Sequence, residues 1–180
     1  DNLAMCRQEL ADGNSDQVVK VIVAAGDDNS AAEQALLVRL LAEQQKFDDV
    51  RKWIAKLEMT KAGADGWYAK GCLALNEAEF KVAVACFSQT LLLDQTDVDA
   101  YRMLSRALER SGETEIAKAV AARAVLVEET RSLGSKLIGD QAKDLELIQQ
   151  LAQSLMKLNR PMEAFGWPTI GLVHAVEAAA

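Results

Sequence analysis

Few residues of this 180-residue sequence have side chains that do covalent or acid–base chemistry. The one histidine, His174, has the pKa range of a general base, and Cys86 is its nearest cysteine, a conceivable nucleophile. No Ser or Cys stands at a motif spacing from His174, which lies in an alanine-rich final segment. It reads as a structural or surface residue. Cys6, Cys72 and Cys86 are odd in number and widely spaced. That argues against a disulfide framework and against zinc, which needs close ligand pairs. Cys72 and Cys86 fall on adjacent helices; a bond between them is conceivable, and buried, inert thiols are the simpler reading. The acidic pairs Asp27-Asp28, Asp48-Asp49 and Glu128-Glu129 fall at turns and helix ends, where they cap and solvate, without cation-loop spacing. No catalytic residue, metal or cofactor is assigned. Arg102, Arg106 and Arg110 differ in kind. At i, i+4 and i+8 they share one helix face, a pattern for binding acidic groups.

Composition narrows the choice further. The mass of 19.6 kDa suits one domain or a short array of repeats. Hydrophobic residues make up 50%, aromatic residues only 5%, and there are two prolines, so the chain reads as helix-rich and folded. A net charge of -7 disfavours general binding to a phosphate backbone, so no nucleic acid is expected. No apolar run approaches the ~20 residues of a membrane helix, so no membrane insertion is expected. The start carries no signal-peptide pattern. Opening on Asp1 rather than Met, the chain is expected to be a processed form or a fragment, and its compartment is left open. A lone histidine excludes sites that need two. GxxxxGK[ST] and GxGxxG are both absent. The expectation is a protein that is not an enzyme. A dispersed site gathering carboxylates around His174 is the catalytic alternative.

The elements that must position these residues are helices. Nearly every segment has a 3.6-residue apolar period and none alternates as a strand, giving about ten helices of roughly 10–15 residues. Asp12-Gly13-Asn14-Ser15 ends the first and Gly26–Ser30 the second. Ser30 with Glu33 forms a capping-box pattern for the third. Thr60–Asp65, Asp94–Asp97 and Ser111-Gly112-Glu113 mark further turns. Pro161 suits a first helical turn, whereas Pro168 is expected to kink or split its helix near Phe165–Trp167.

The helices repeat. Trp67 and Tyr101, Phe80 and Thr114, Ala83 and Ala117, and Thr90 and Ala124 each stand 34 residues apart. Trp67-x2-Lys70-Gly71-x2-Ala74, then Phe80, Ala83 and Phe87, then Leu91–Asp94 resembles a tetratricopeptide (TPR) repeat. Tyr101-x2-Leu104-Ser105-x2-Leu108 with Gly112, Ala117, Ala121 and Ala124 is similar to the next one. Gly71 and Ala83 would let two helix backbones cross closely, with Trp67 and Phe87 filling the ends of the crossing. Lys70, Ala74, Gln95 and Ala121 depart from the usual pattern. The resemblance implies an all-α, right-handed superhelix of about five antiparallel helix pairs. It is expected as a single domain over 1–180, with units 1–30, 31–63, 64–97, 98–131 and 141–178 and an irregular connector at 128–140.

In a TPR array the first helix of each pair lines the concave groove. The resemblance therefore places Ala35, Arg39, Tyr68, Cys72, Leu75, Asn76, Arg102, Arg106, Glu109 and Arg110 there. Arg39, Tyr68, Cys72, Asn76, Arg102, Arg106 and Arg110 are the expected partner-binding residues, for a protein or peptide that bears acidic groups. The plainer alternative is a solvated stripe balanced by Asp99, Glu109 and Glu113. Arg102 and Arg106 partly resemble a carboxylate clamp, but Cys72 and Arg39 stand where its asparagines belong, so chaperone-tail binding is not expected. Residues 159–167 are similar to the closing helix of TPR segments that precede an ASPIC/UnbV-type domain in large bacterial proteins. The expected function is a protein-interaction scaffold. The alternative is a spacer or self-association module, with a homodimer stacked through the terminal surfaces, including Ala175–Ala180.

Overall fold

The computed structural model describes residues 2–26, 29–138 and 144–169, and these contain helices and turns but no strand. His174 and the alanine-rich end lie outside the described residues. The helices are α1 (Asn2–Ala11), α2 (Ser15–Ala25), α3 (Ala31–Glu43), α4 (Phe47–Ile54), α5 (Gly63–Asn76), α6 (Phe80–Leu93), α7 (Val98–Arg110), α8 (Thr114–Ile138) and α9 (Leu145–Lys157). Residues 161–169 are also helical.

Among the described residues, three helices start on a side-chain cap. The Ser30 side chain accepts the Glu33 N–H, and the Glu33 carboxylate accepts the Ser30 N–H at 2.7 Å, completing the expected capping box. Asp97 caps α7 by accepting the Ala100 N–H at 2.9 Å, and Asp144 caps α9.

Five turns share one backbone shape. Gly13, Gln45, Ala78, Gly112 and Asn159 all have positive φ. After each, the next N–H reaches back five residues. Asn14 donates to Glu9, Lys46 to Leu41, Glu79 to Ala74, Glu113 to Leu108 and Arg160 to Leu155. This is the Schellman turn, which satisfies carbonyls left free at a helix end.

The chain forms two compact units, 1–118 and 119–180. In the first, α5 packs against α3, α4 and α6, and α6 against α7. The interface of α5 and α6 is the most extensive in this unit. Ala69, Ala83 and Phe87 are fully buried, and the ring of Tyr68 meets that of Phe87 edge-on at 5.8 Å. Trp67, expected to fill one end of this crossing, is half-buried, with the Lys70 ammonium 5.3 Å from its ring centre.

The second unit corrects two expectations. The connector expected at 128–140 is helical as far as Ile138. Gly134 meets no steric or conformational demand there, while Leu133 and Leu137 join Ile148, Leu151, Leu155 and Ala164 in an apolar cluster. Burying such side chains stabilises by ~1.5–3 kcal/mol each, more than one helical glycine costs. Pro161 opens its helix as expected, but residues 161–169 show no break at Phe165–Trp167. The Ala164 N–H bonds Arg160, and Trp167 packs on the same apolar cluster, which holds the segment helical.

Candidate functional site

Three first-of-pair helices, α3, α5 and α7, supply the candidate site. α5 contacts both of the others. Between them the Arg39 guanidinium forms a part-buried ionic cluster. Its Nη1 donates to Asp97 Oδ2 at 2.6 Å and to Asp65 Oδ1 at 3.2 Å. Nη2 donates to Asp97 Oδ1 at 3.3 Å and Nε to Glu43 Oε1 at 3.0 Å. The guanidinium carbon lies 4.1 Å from the centre of the Tyr68 ring, a stacked cation–π contact. Burial by itself would weaken the charged form, but the hydrogen bonds that Arg39 donates to Asp97 and Glu43, with the charges of Asp97 and Asp65, hold Arg39 above its ordinary pKa. The cation is permanent, and four of its five N–H donors are engaged.

Beside this cluster a cleft of about 490 Å³ opens. Glu43, Gln45 and Phe47 form one side, Tyr68, Cys72, Leu75 and Asn76 the base, and Asp99, Met103 and Arg106 the other side. Burial pushes the Cys72 thiol up to about 12, against the lowering pull of Tyr68 and Arg39. It also raises Tyr68, with Cys72 adding to the shift. Both stay neutral at physiological pH and present an apolar ring and a protonated thiol rather than a nucleophile. Cys6 and Cys86 are likewise free, buried and raised chiefly by burial. Among the described residues no group of three or more His, Cys, Asp or Glu side chains is placed to hold a metal ion.

Of the residues named from sequence, Tyr68, Cys72, Asn76 and Arg106 line this one cleft, together with Leu75. Arg106 is exposed and has no ion-pair partner among the described residues. Arg39 sits in the ionic cluster and borders a second cleft of about 890 Å³, next to Arg7, Lys61 and Asp94. Arg102 is exposed and pairs with Asp99 at 3.1 Å. Arg110 packs its guanidinium 5.1 Å from the centre of the Phe80 ring. Ala35, expected in the groove, is instead buried with Leu57 and Ala62, because the turn before α5 folds over it. The apolar Phe47 and Met103, and the carboxylates Glu43, Asp65 and Asp97, were not read as site residues. Asp97 carried a usable signal, an acidic residue directly before a helix.

No protein-family model matches the chain, and no curated protein matches it. Solved structures do. One, described as the crystal structure of MamA, superposes with a TM-score of 0.51 at 15% identity over 97% of this chain and 96% of its own. A second, described as the crystal structure of MamA protein, gives 0.50 at 15% identity over 99% and 92%. At that identity the likeness concerns the fold alone: the chain has an all-α fold of the TPR-like type.

Proposed function

We propose that this chain is a non-catalytic protein-interaction scaffold that holds a peptide or protein segment in the cleft formed by α3, α5 and α7. The observation that carries this reading is Arg106. It is a guanidinium with no ion pair among the described residues, lining a cleft whose other surfaces include Tyr68, Leu75, Met103 and Phe47. Such a site takes an apolar side chain against the rings and aliphatic groups and a neighbouring carboxylate against the cation. Asn76 adds an amide that can bond an extended backbone. Arg102 lies outside the lining and acts through charge at longer range.

Peptides selected by display against the full chain test the reading. Their affinity, measured by calorimetry, is expected to fall tenfold or more in Arg106→Glu, and further in Arg102→Glu/Arg106→Glu, with circular dichroism unchanged. Selected peptides that bind these variants and Tyr68→Ala as tightly as wild type would sink it.

A second reading, self-association, has its own observation. Met162 and Phe165 are 84% and 68% exposed and lie one turn apart on the helix at 161–169. Sedimentation of the chain across a concentration range separates the readings, since a monomer at all concentrations removes the second.

A further inference from the structure

We propose that the Arg39–Asp97 pair is a strut that ties α3 to α7 across the intervening α5 and holds the two sides of the cleft at one separation. Arrays of helical repeats couple each unit to its nearest neighbours. Here α5 contacts both α3 and α7, while the backbones of α3 and α7 do not come within contact of each other. The guanidinium of Arg39 crosses that gap to a carboxylate 58 residues away. The two side chains are only 16% and 5% exposed, so solvent does not compete for the pair as it does at the surface.

Three features make the contact rigid. The Asp97 carboxylate engages both terminal nitrogens of Arg39, a fork geometry that fixes direction as well as distance. Its Oδ1 also accepts the Ala100 N–H, so the same group that receives Arg39 starts α7. Stacking on Tyr68 prevents the guanidinium from swinging aside. Lysine has neither the fork nor the planar stack and cannot replace it. Arg39 is therefore a positioning residue. It sets where α7, with Met103 and Arg106, stands relative to α3, and Arg106 remains for the ligand because Arg39 is occupied. The strut is independent of what the cleft binds.

The test uses the full chain with Arg39→Met, Arg39→Lys and Asp97→Asn, the last keeping a capping side chain. Hydrogen exchange at residues 100–104 of α7 is expected to quicken tenfold or more in Arg39→Met and Asp97→Asn, while α6 around Phe87 and Thr90 keeps wild-type protection. Spin labels on Asp48→Cys and Glu109→Cys, beside the buried native thiols, should give a broader distance distribution in Arg39→Met, with Arg39→Lys failing to restore it. Unchanged α7 exchange and label distances would overturn the proposal. So would equal loss of protection in α6 and α7, or loss of helix in all three variants, since either makes Arg39 a general determinant of folding rather than of position.

Discussion

Gly71 lies beneath the ring of Phe87: a Cβ at position 71 would stand 2.7 Å from Cε1 and 2.9 Å from both Cδ1 and Cζ. Phe87 is fully buried and has nowhere to move. Gly71→Ala should therefore destabilise the chain. Overpacking of this kind costs roughly 1–3 kcal/mol, against up to ~1 kcal/mol regained from helix propensity. A lower urea midpoint in the variant checks this, with Gly71→Val lower still.

Gly134 should behave in the opposite way. It lies inside α8, and a Cβ there would meet nothing within 4 Å. Gly134→Ala is expected to stabilise by about 0.5–1 kcal/mol, because alanine loses less backbone freedom on folding. Thermal unfolding followed at 222 nm reads the shift.

The Schellman turns give a paired prediction. Ala78 is exposed and held at φ 60°, where a Cβ is disfavoured, while Gly112 adopts φ 94° with no such cost. Ala78→Gly should gain about 0.5–1 kcal/mol and Gly112→Ala should lose about 1 kcal/mol or more. Denaturant midpoints of the two variants should move in opposite directions.

Cys72 makes stability depend on alkaline pH. Its thiol is raised from 9.0 to about 12 by burial, so the folded chain holds that proton more tightly than the unfolded chain. The contribution is fully present below pH 9 and is lost between pH 9 and about 12. Urea midpoints should fall across that window, less steeply in Cys72→Ala. At neutral pH the native thiol should resist a disulfide reagent that modifies it in urea.

The repeat was legible where packing is dictated by residue size. Gly71, Ala83 and Phe87 mark a close helix crossing because no larger or smaller residues fit there. The capping box was legible because Ser30 and Glu33 act within one turn. Arg39 reads from sequence as a groove residue for a partner, not as the centre of an internal ion cluster. Its partners Asp65 and Asp97 lie 26 and 58 residues away, and no local pattern brings charges together over that distance. Gln45 and Ala78 were missed as turn residues because neither favours positive φ; the helices on either side impose it. The continuity of α8 was obscured by Gly134, a propensity signal that burial of Leu133 and Leu137 overrides.

The recurrence of one turn shape with four different residue types bears on how such a chain can change length. A helix pair cut out or duplicated from one turn to the next leaves the same two junctions behind, so most pairs are exchangeable parts. The stretch between Arg39 and Asp97 is the exception. Inserting or removing a pair there would carry the carboxylate out of the guanidinium's reach and leave a part-buried cation without its main partner. Growth and shortening of this protein are therefore confined to either side of α3–α7, which makes that block the fixed part of its architecture.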